Sequence, residues 1–488
     1  MRRPEDLFDR ETEWRELVEF ASQPGSGIRL ALVRGRRRQG KSFLLRRLAA
    51  GLGGFYFQAV EEQRSQALAG IGAALGRHLA VPGGRLAFTD WDAAIDALTA
   101  LFRNGTPVLV VLDEFPYLVQ HSPELASVLQ RAIDRSGDIG PGLRLVLCGS
   151  ALSAMAGLLT GNQALRGRAS VDLVMRTFDY RTAASYWGIT DPAVALLVHA
   201  VVGGTPGYRD LLPQAPPKRL GDVARWLGSG VLNPASALFR EDHYLLAEEP
   251  SLPDRALYHA VLTAVADGNG TQAKIAGALG REQRAVQYPL RSLEEAGFLI
   301  RTEDALRSRR PLYSLADPIV RFHHVVTRPD LARFEDRHTH QAWSDAQPRF
   351  ATHVLGPHFE QLAREFTARF ASASTVGGQV ASVGPAVISD PKARRQHEAD
   401  VVALARRNDG SRSVLAIGEA KHTTAKRTTS DLLRLVHLRT LIASRDPAAA
   451  TARLLLFSAS GFERNLVNHV RHRSDVELID LARLYTGQ

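Results

Sequence analysis

The stretch 32-LVRGRRRQGKSFLLRRL-48 decides how the amino-terminal third of the chain is read. It holds seven basic residues in seventeen positions, a density that suits an arm lying on a polyanion. Within it, however, Gly35, Gly40, Lys41 and Ser42 match the spacing G-x-x-x-x-G-K-[ST]. The apolar run at 28–33 (IRLALV) precedes the match and the helix-forming SFLLRRLAAGL follows it, which is the strand–loop–helix context the motif needs. In that context the glycines let backbone amides turn inward around a β-phosphate, and the helix N-terminus adds partial positive charge. Lys41 then reaches the β- and γ-phosphates, and the Ser42 hydroxyl takes Mg²⁺. Gln39 in the loop and Phe43 in the first turn of the helix are further candidate nucleotide contacts.

A Mg²⁺-nucleotide site also needs carboxylates at the end of a neighbouring strand, and 108-VLVVLDEF-115 supplies Asp113 and Glu114. Asp113 is expected to hold the metal and Glu114 to polarise the attacking water, so hydrolysis of ATP is expected rather than binding alone. Ser150, in LCGSAL after a further apolar run, reads either as a sensor of the γ-phosphate or as a helix cap. Arg166 and Arg168 read either as nucleotide-directed or as solvated charges.

Around this centre, apolar runs at 28–33, 54–57, 108–112, 144–148 and 170–175 alternate with amphipathic segments. The pattern predicts an α/β fold with a parallel sheet covered on both faces. Residues 179–249 read as a helical lid broken by GGTPGY at 203–208. Residues 250–328 read as three helices and a hairpin, the order of a winged helix-turn-helix. A linker at 329–349 leads to a last α/β unit at 350–488. The chain has 488 residues, 45% of them hydrophobic, and 61 basic against 51 acidic residues for a net charge of +10, a prior for polyanion contact and not a site. The one cysteine, Cys148, excludes a disulfide framework, and no apolar run reaches the roughly 18 residues of a membrane span. A cytoplasmic protein without a membrane partner is expected.

The segments FDRETEW (8–14), RGRRRQGKSFLL, VLDEFPYL, LCGS, LRGR and GGTPGYRDLL resemble, in order and phrasing, the archaeal-type ATPase family, a STAND-like branch of the AAA-related P-loop ATPases. The resemblance spans nearly the whole chain. It implies an ATPase with Phe8, Arg10 and Glu11 near the adenine, a winged helix and a C-terminal PD-(D/E)xK nuclease-like domain. Ser42 stands for the more usual Thr, and RGRAS departs from the family's run before the Gly-Arg pair, which bears on Arg168 as an arginine acting across a homo-oligomer interface.

In the winged-helix segment, Arg281, Arg284 and Arg291 on or next to the third helix and Arg307, Arg309 and Arg310 in the hairpin suit DNA phosphate contact. Pro289 inside that helix removes a hydrogen bond and predicts a kink, which favours a protein-contacting domain instead. In the last unit, HEADVVAL places Asp400 at the start of one strand, and LAIGEAKHT places Glu419 and Lys421 at the end of the next, on one face by period two. With Glu360 on the preceding helix, this set could hold Mg²⁺ and orient water against a phosphodiester. Glu398 is either an extra ligand or a solvent-facing neighbour. The histidines 323, 324, 338, 340, 397 and 422 show no metal spacing with cysteines and read as surface residues.

Overall fold

A computed structural model describes residues 1–102, 107–137, 142–159, 164–249, 251–307 and 310–488. Arg309 and residues 104–106 lie outside them. The chain forms two compact units, one of Met1–Thr177 with Tyr244–Pro253 and Glu295–Gly297, the other of Phe178–His243, Asp254–Glu294 and Phe298–Gln488.

The first unit is built on five parallel strands: β1 (Ile28–Arg34), β2 (Phe55–Gln58), β3 (Val108–Asp113), β4 (Leu143–Gly149) and β5 (Ala169–Val174), in the order β2-β3-β4-β1-β5. Side chains alternate between two cores, as the pleat requires. Leu30, Leu32, Val110, Leu112, Leu145 and Leu147 pack on the helices Arg64–His78, Trp91–Thr99, Phe115–His121 and Leu125–Ser136. On the opposite face Ala31, Val33, Val111, Val146 and Cys148 pack on Glu11–Ser22 and Lys41–Leu52. Both faces are covered, which is why β1, β3 and β4 read as continuous apolar runs. Each wholly buried leucine or valine contributes about 1.5–3 kcal/mol of transfer free energy, so the central strands form a stiff platform. One expectation is corrected: the strand ending in Asp113 is not adjacent to β1, because β4 is inserted between them.

In the second unit, Asp179 and Asp191 cap the helices Tyr180–Trp187 and Pro192–Val202 by accepting amide hydrogen bonds. The turn after them needs glycine twice. Gly203 has φ +62°, and a Cβ on Gly204 would lie 1.9 Å from the Phe178 carbonyl oxygen. The helices Arg255–Ala266, Gln272–Ala278 and Gln283–Glu295 are followed by the antiparallel pair β6 (Leu299–Glu303) and β7 (Pro311–Leu315). The third helix runs through Pro289 without interruption; its ring lies on the buried face with Val286, Leu290 and Leu293. Arg284, Gln287, Tyr288 and Arg291, at i, i+3, i+4 and i+7, form the exposed face.

The C-terminal sheet has the order β12-β11-β10-β9-β8, from β8 (Ser382–Asp390), β9 (Arg395–Arg406), β10 (Arg412–Lys421), β11 (Arg453–Ser458) and β12 (Val476–Asp480). β8, β9 and β10 are antiparallel neighbours, whereas β11 and β12 are parallel to β10. The segment after β6 docks on β8: Ala305 N donates to the Pro385 carbonyl at 2.9 Å, and Val387 N donates to Asp304 Oδ2 at 2.9 Å. β9 begins at Arg395, so Asp400 lies mid-strand rather than at its start. Among the described residues, no single helix is long and apolar enough to cross a membrane.

Candidate functional site

The loop between β1 and the helix Lys41–Leu52 takes its shape from two glycines. Gly40 adopts φ +88° at the helix N-cap, where no side chain caps the first turn, so its amides stay available to an anion. A Cβ on Gly35 would lie 2.5 Å from the Met175 carbonyl oxygen and 2.6 Å from Gln39 Oε1, so only glycine fits where the loop passes β5. Lys41 is 4% exposed and donates from Nζ to the Gly35 and Arg36 carbonyls at 2.5 and 2.9 Å. Ser42 lies beside it in the first turn of the same helix.

At the C-terminal ends of β3 and β4, Asp113 is wholly buried. Its Oδ1 accepts from Glu114 N at 3.0 Å, and its Oδ2 accepts from Tyr56 Oη at 2.5 Å. Tyr56 escaped the sequence reading. Burial, and then the Asp113 charge, hold its hydroxyl above the usual tyrosine range, so the phenol remains a donor. Glu114 has φ +52°, a conformation that costs a non-glycine residue energy and is kept where surroundings over-determine it. Here they do: Ser150 donates to Glu114 Oε2 from both Oγ at 3.1 Å and its amide at 3.3 Å. The structure thus joins Ser150 to Glu114.

Arg10, 5% exposed and at φ +69°, donates to the Gln39 carbonyl at 3.3 Å and to the Arg176 carbonyl at 2.7 Å, tying the N-terminal segment to the loop. Phe8 and Phe43 remain 40% and 42% exposed, apolar surface beside the loop. Arg168 is engaged elsewhere: it forks onto Asp134 with two bonds of 2.8 Å. The loop arginines also have protein partners. Arg37 pairs with Glu248, and Arg36 donates to the Gly297 carbonyl at 3.4 Å.

In the second unit, Glu360, Asp400, Glu419 and Lys421 come together. Lys421 Nζ is 3.2 Å from Glu419 Oε1, so the two share a face of β10. Asp400 Oδ2 accepts from Ala420 N at 2.8 Å. Burial, then the Asp400 charge, push Glu360 up to about 7 against the pull of Arg364 and Lys421. Burial also raises Asp400, with Glu419 adding to the effect. Glu398 is exposed beside this group. Two arginines were missed. Arg434 donates to Glu419 Oε1 at 2.5 Å, and Arg427 Nη2 is 3.4 Å from Oε2. In the hairpin, Arg307 donates to Ser389 Oγ at 2.5 Å, so it is turned toward β8 rather than presented to a phosphate.

The surface assignment of two histidines is overturned. His323 and His324 are 7% and 1% exposed, because the segment after the helix Pro318–Phe322 is packed into the second unit.

No family model matches the chain. An uncharacterized protein of Methanocaldococcus jannaschii, MJECL04, is 23% identical over 440 residues, 88% of this chain and 91% of its own. Among solved structures, the Walker-type ATPase PABY2304 of Pyrococcus abyssi superposes with a TM-score of 0.52 at 20% identity, covering 66% of this chain and 97% of that one. The Aeropyrum pernix ORC2 protein matches at a TM-score of 0.41 and 16% identity, over 70% of this chain and 96% of its own. The parallel-sheet unit with its glycine-rich loop has the α/β fold of a Walker-type P-loop ATPase.

Proposed function

We propose that the chain binds and hydrolyses ATP in the first unit and that the second unit acts on DNA through a winged helix and a nuclease-like carboxylate set. The observation that carries the first half is the pairing of the Gly35–Lys41 loop with a buried Asp113 and a Ser150-held Glu114. The residues present fit a Mg²⁺-nucleotide: an uncapped helix N-terminus and buried lysine for the phosphates, and a hydroxyl and a carboxylate for the ion. When bound, Mg²⁺ would neutralise charge on the phosphates. Lys41 exchanges its loop carbonyls for phosphate oxygens. Tyr56 keeps Asp113 oriented. Glu114, with Oε2 held by Ser150, accepts a proton from water through Oε1.

For the second half, the exposed row Arg284, Gln287, Tyr288 and Arg291 supports contact with a nucleic acid, since cations and an aromatic share one helix face. Glu360, Asp400 and Glu419 offer oxygen ligands suited to Mg²⁺, and Lys421 could orient water. A second reading is favoured by Arg427 and Arg434, which already occupy the flanks of Glu419: a nucleotide-gated regulator whose nuclease-like domain does not cut and whose partner is a protein. Two assays separate these. Glu114→Gln should keep ATP affinity and lose turnover; turnover equal to wild type would sink the assignment. Linear, circular and branched DNA incubated with Mg²⁺ should be cut by wild type and not by Asp400→Ala; absence of cutting with ATP, ADP or no nucleotide would select the regulator.

A further inference from the structure

Outside both sites, three separated stretches of the second unit bring an aspartate and histidines to one point. Asp242 and His243 lie on the helix Glu241–Ala247, His259 on the helix Arg255–Ala266, and His323 directly after the helix Pro318–Phe322. Asp242 is 1% exposed, and His259 and His323 are each 7% exposed. Asp242 Oδ2 is 3.1 Å from His323 Nε2 and 4.0 Å from His259 Nδ1. One ligand atom each from Asp242, His243 and His259 falls within 4.8 Å of the others.

The hydrogen bonding is what points to a ligand. Neither carboxylate oxygen of Asp242 has an aligned hydrogen-bond partner, and neither does His259 Nδ1. Buried polar atoms are almost always satisfied, and leaving a carboxylate unpaired is costly. At 3.1 Å the His323 nitrogen is close enough to donate but is not aimed to do so. Two ligand atoms on a tetrahedral ion with bonds of about 2.0–2.1 Å lie roughly 3.3 Å apart, between the two distances seen here.

We propose that Asp242, His259 and His323, with His243 closing the set from the solvent side, form a site for a zinc-class divalent transition ion. Three imidazoles and one carboxylate select zinc, cobalt or nickel over magnesium or calcium. The ion would staple the helix Glu241–Ala247 to the helix Arg255–Ala266 and to the segment following the hairpin. In the other aspartate–histidine group, Asp390, His397 and His437, the carboxylate has aligned partners although His397 Nε2 has none: Asp390 Oδ2 is 3.0 Å from His437 Nε2 in hydrogen-bond geometry, and Oδ1 accepts from Ala393 N.

The test uses the full chain, stripped with EDTA and held in excess Mg²⁺ so that the phosphate and carboxylate sites stay filled. Co²⁺ is titrated while visible absorption is recorded, and Zn²⁺ is then added. The expected result is one equivalent of Co²⁺ with the intense visible bands of a four-coordinate ion, bleached by Zn²⁺. Affinity should fall at least roughly a hundredfold in His323→Ala and about tenfold or more in His243→Ala, with His437→Ala unchanged. His243 is on the surface, so its variant should fold where His323→Ala does not. Absence of those bands in wild type, or wild-type binding by His243→Ala, or loss in His437→Ala alone, would overturn the proposal.

Discussion

Replacing Tyr56 by Phe removes one oxygen and tests whether the phenol is what keeps Asp113 in place. Asp113 is 0% exposed, and its Oδ2 accepts from Tyr56 at 2.5 Å, so the variant leaves half of a buried carboxylate without its donor. A hydrogen bond to a charged group contributes about 1.5–3 kcal/mol. Tyr56 is only half-buried, so the low end, about 1.5 kcal/mol, is the expected loss. For a unit of this size that corresponds to roughly 3–6 °C in the melting temperature of nucleotide-free protein. The hydroxyl's pKa is raised in the folded state, so its contribution is fully present below the ordinary tyrosine value of about 10 and lost as pH climbs beyond it. The gap between wild type and Tyr56→Phe, followed by thermal melting, should therefore be constant near neutrality and close at high alkalinity. ATP turnover should fall with it, because Asp113 loses its orientation. Equal melting temperatures at neutral pH, or equal turnover, would refute this role for Tyr56.

Gly35→Ala forces a Cβ to within 2.5 Å of the Met175 carbonyl oxygen; overpacking of this kind costs about 1–3 kcal/mol, and calorimetry should show ATP affinity reduced at least about fivefold. At the carboxylate cluster, Glu360 holds its proton up to about 7, so Mn²⁺ binding must displace that proton below neutrality and should tighten as pH rises through this value; pH-independent affinity would exclude Glu360 as a ligand. Arg284→Ala should lower the dependence of log DNA affinity on log salt by about 0.9, whereas an unchanged slope would place that face away from phosphates.

The sheet of the first unit is legible because its strands are buried on both faces: Val108–Asp113 and Leu143–Gly149 are apolar at nearly every position, the first ending in Asp113 and the second followed by Ser150. Strand order is another matter, since β4 enters between β1 and β3 through pairings 30 or more residues apart that leave no local trace. Tyr56 was missed for the same reason; its phenol reaches Asp113 from the neighbouring strand, and nothing in GFYF announces it. Arg427 and Arg434 had a weak signal in their seven-residue spacing along the helix Thr429–Ala443 and the turn before it. His323 has no cysteine at metal spacing in the sequence, and its partners, histidines and Asp242, come from separate helices that only the fold brings together. The helix Gln283–Glu295 continues past Pro289, whose ring lies on its buried face, a placement that the steric argument from proline alone does not reveal.

In the function proposed above, the arginine-rich loop is a nucleotide cradle and not a DNA arm. Lys41 is its most direct test, because its Nζ is held by the Gly35 and Arg36 carbonyls where phosphates would replace them, while Arg37 is already paired with Glu248. Release of γ-phosphate from ATP in the presence of Mg²⁺ should be measurable for the wild-type chain and abolished in Lys41→Ala at unchanged melting temperature. Turnover in Lys41→Ala equal to wild type would show that this loop is not where ATP is hydrolysed.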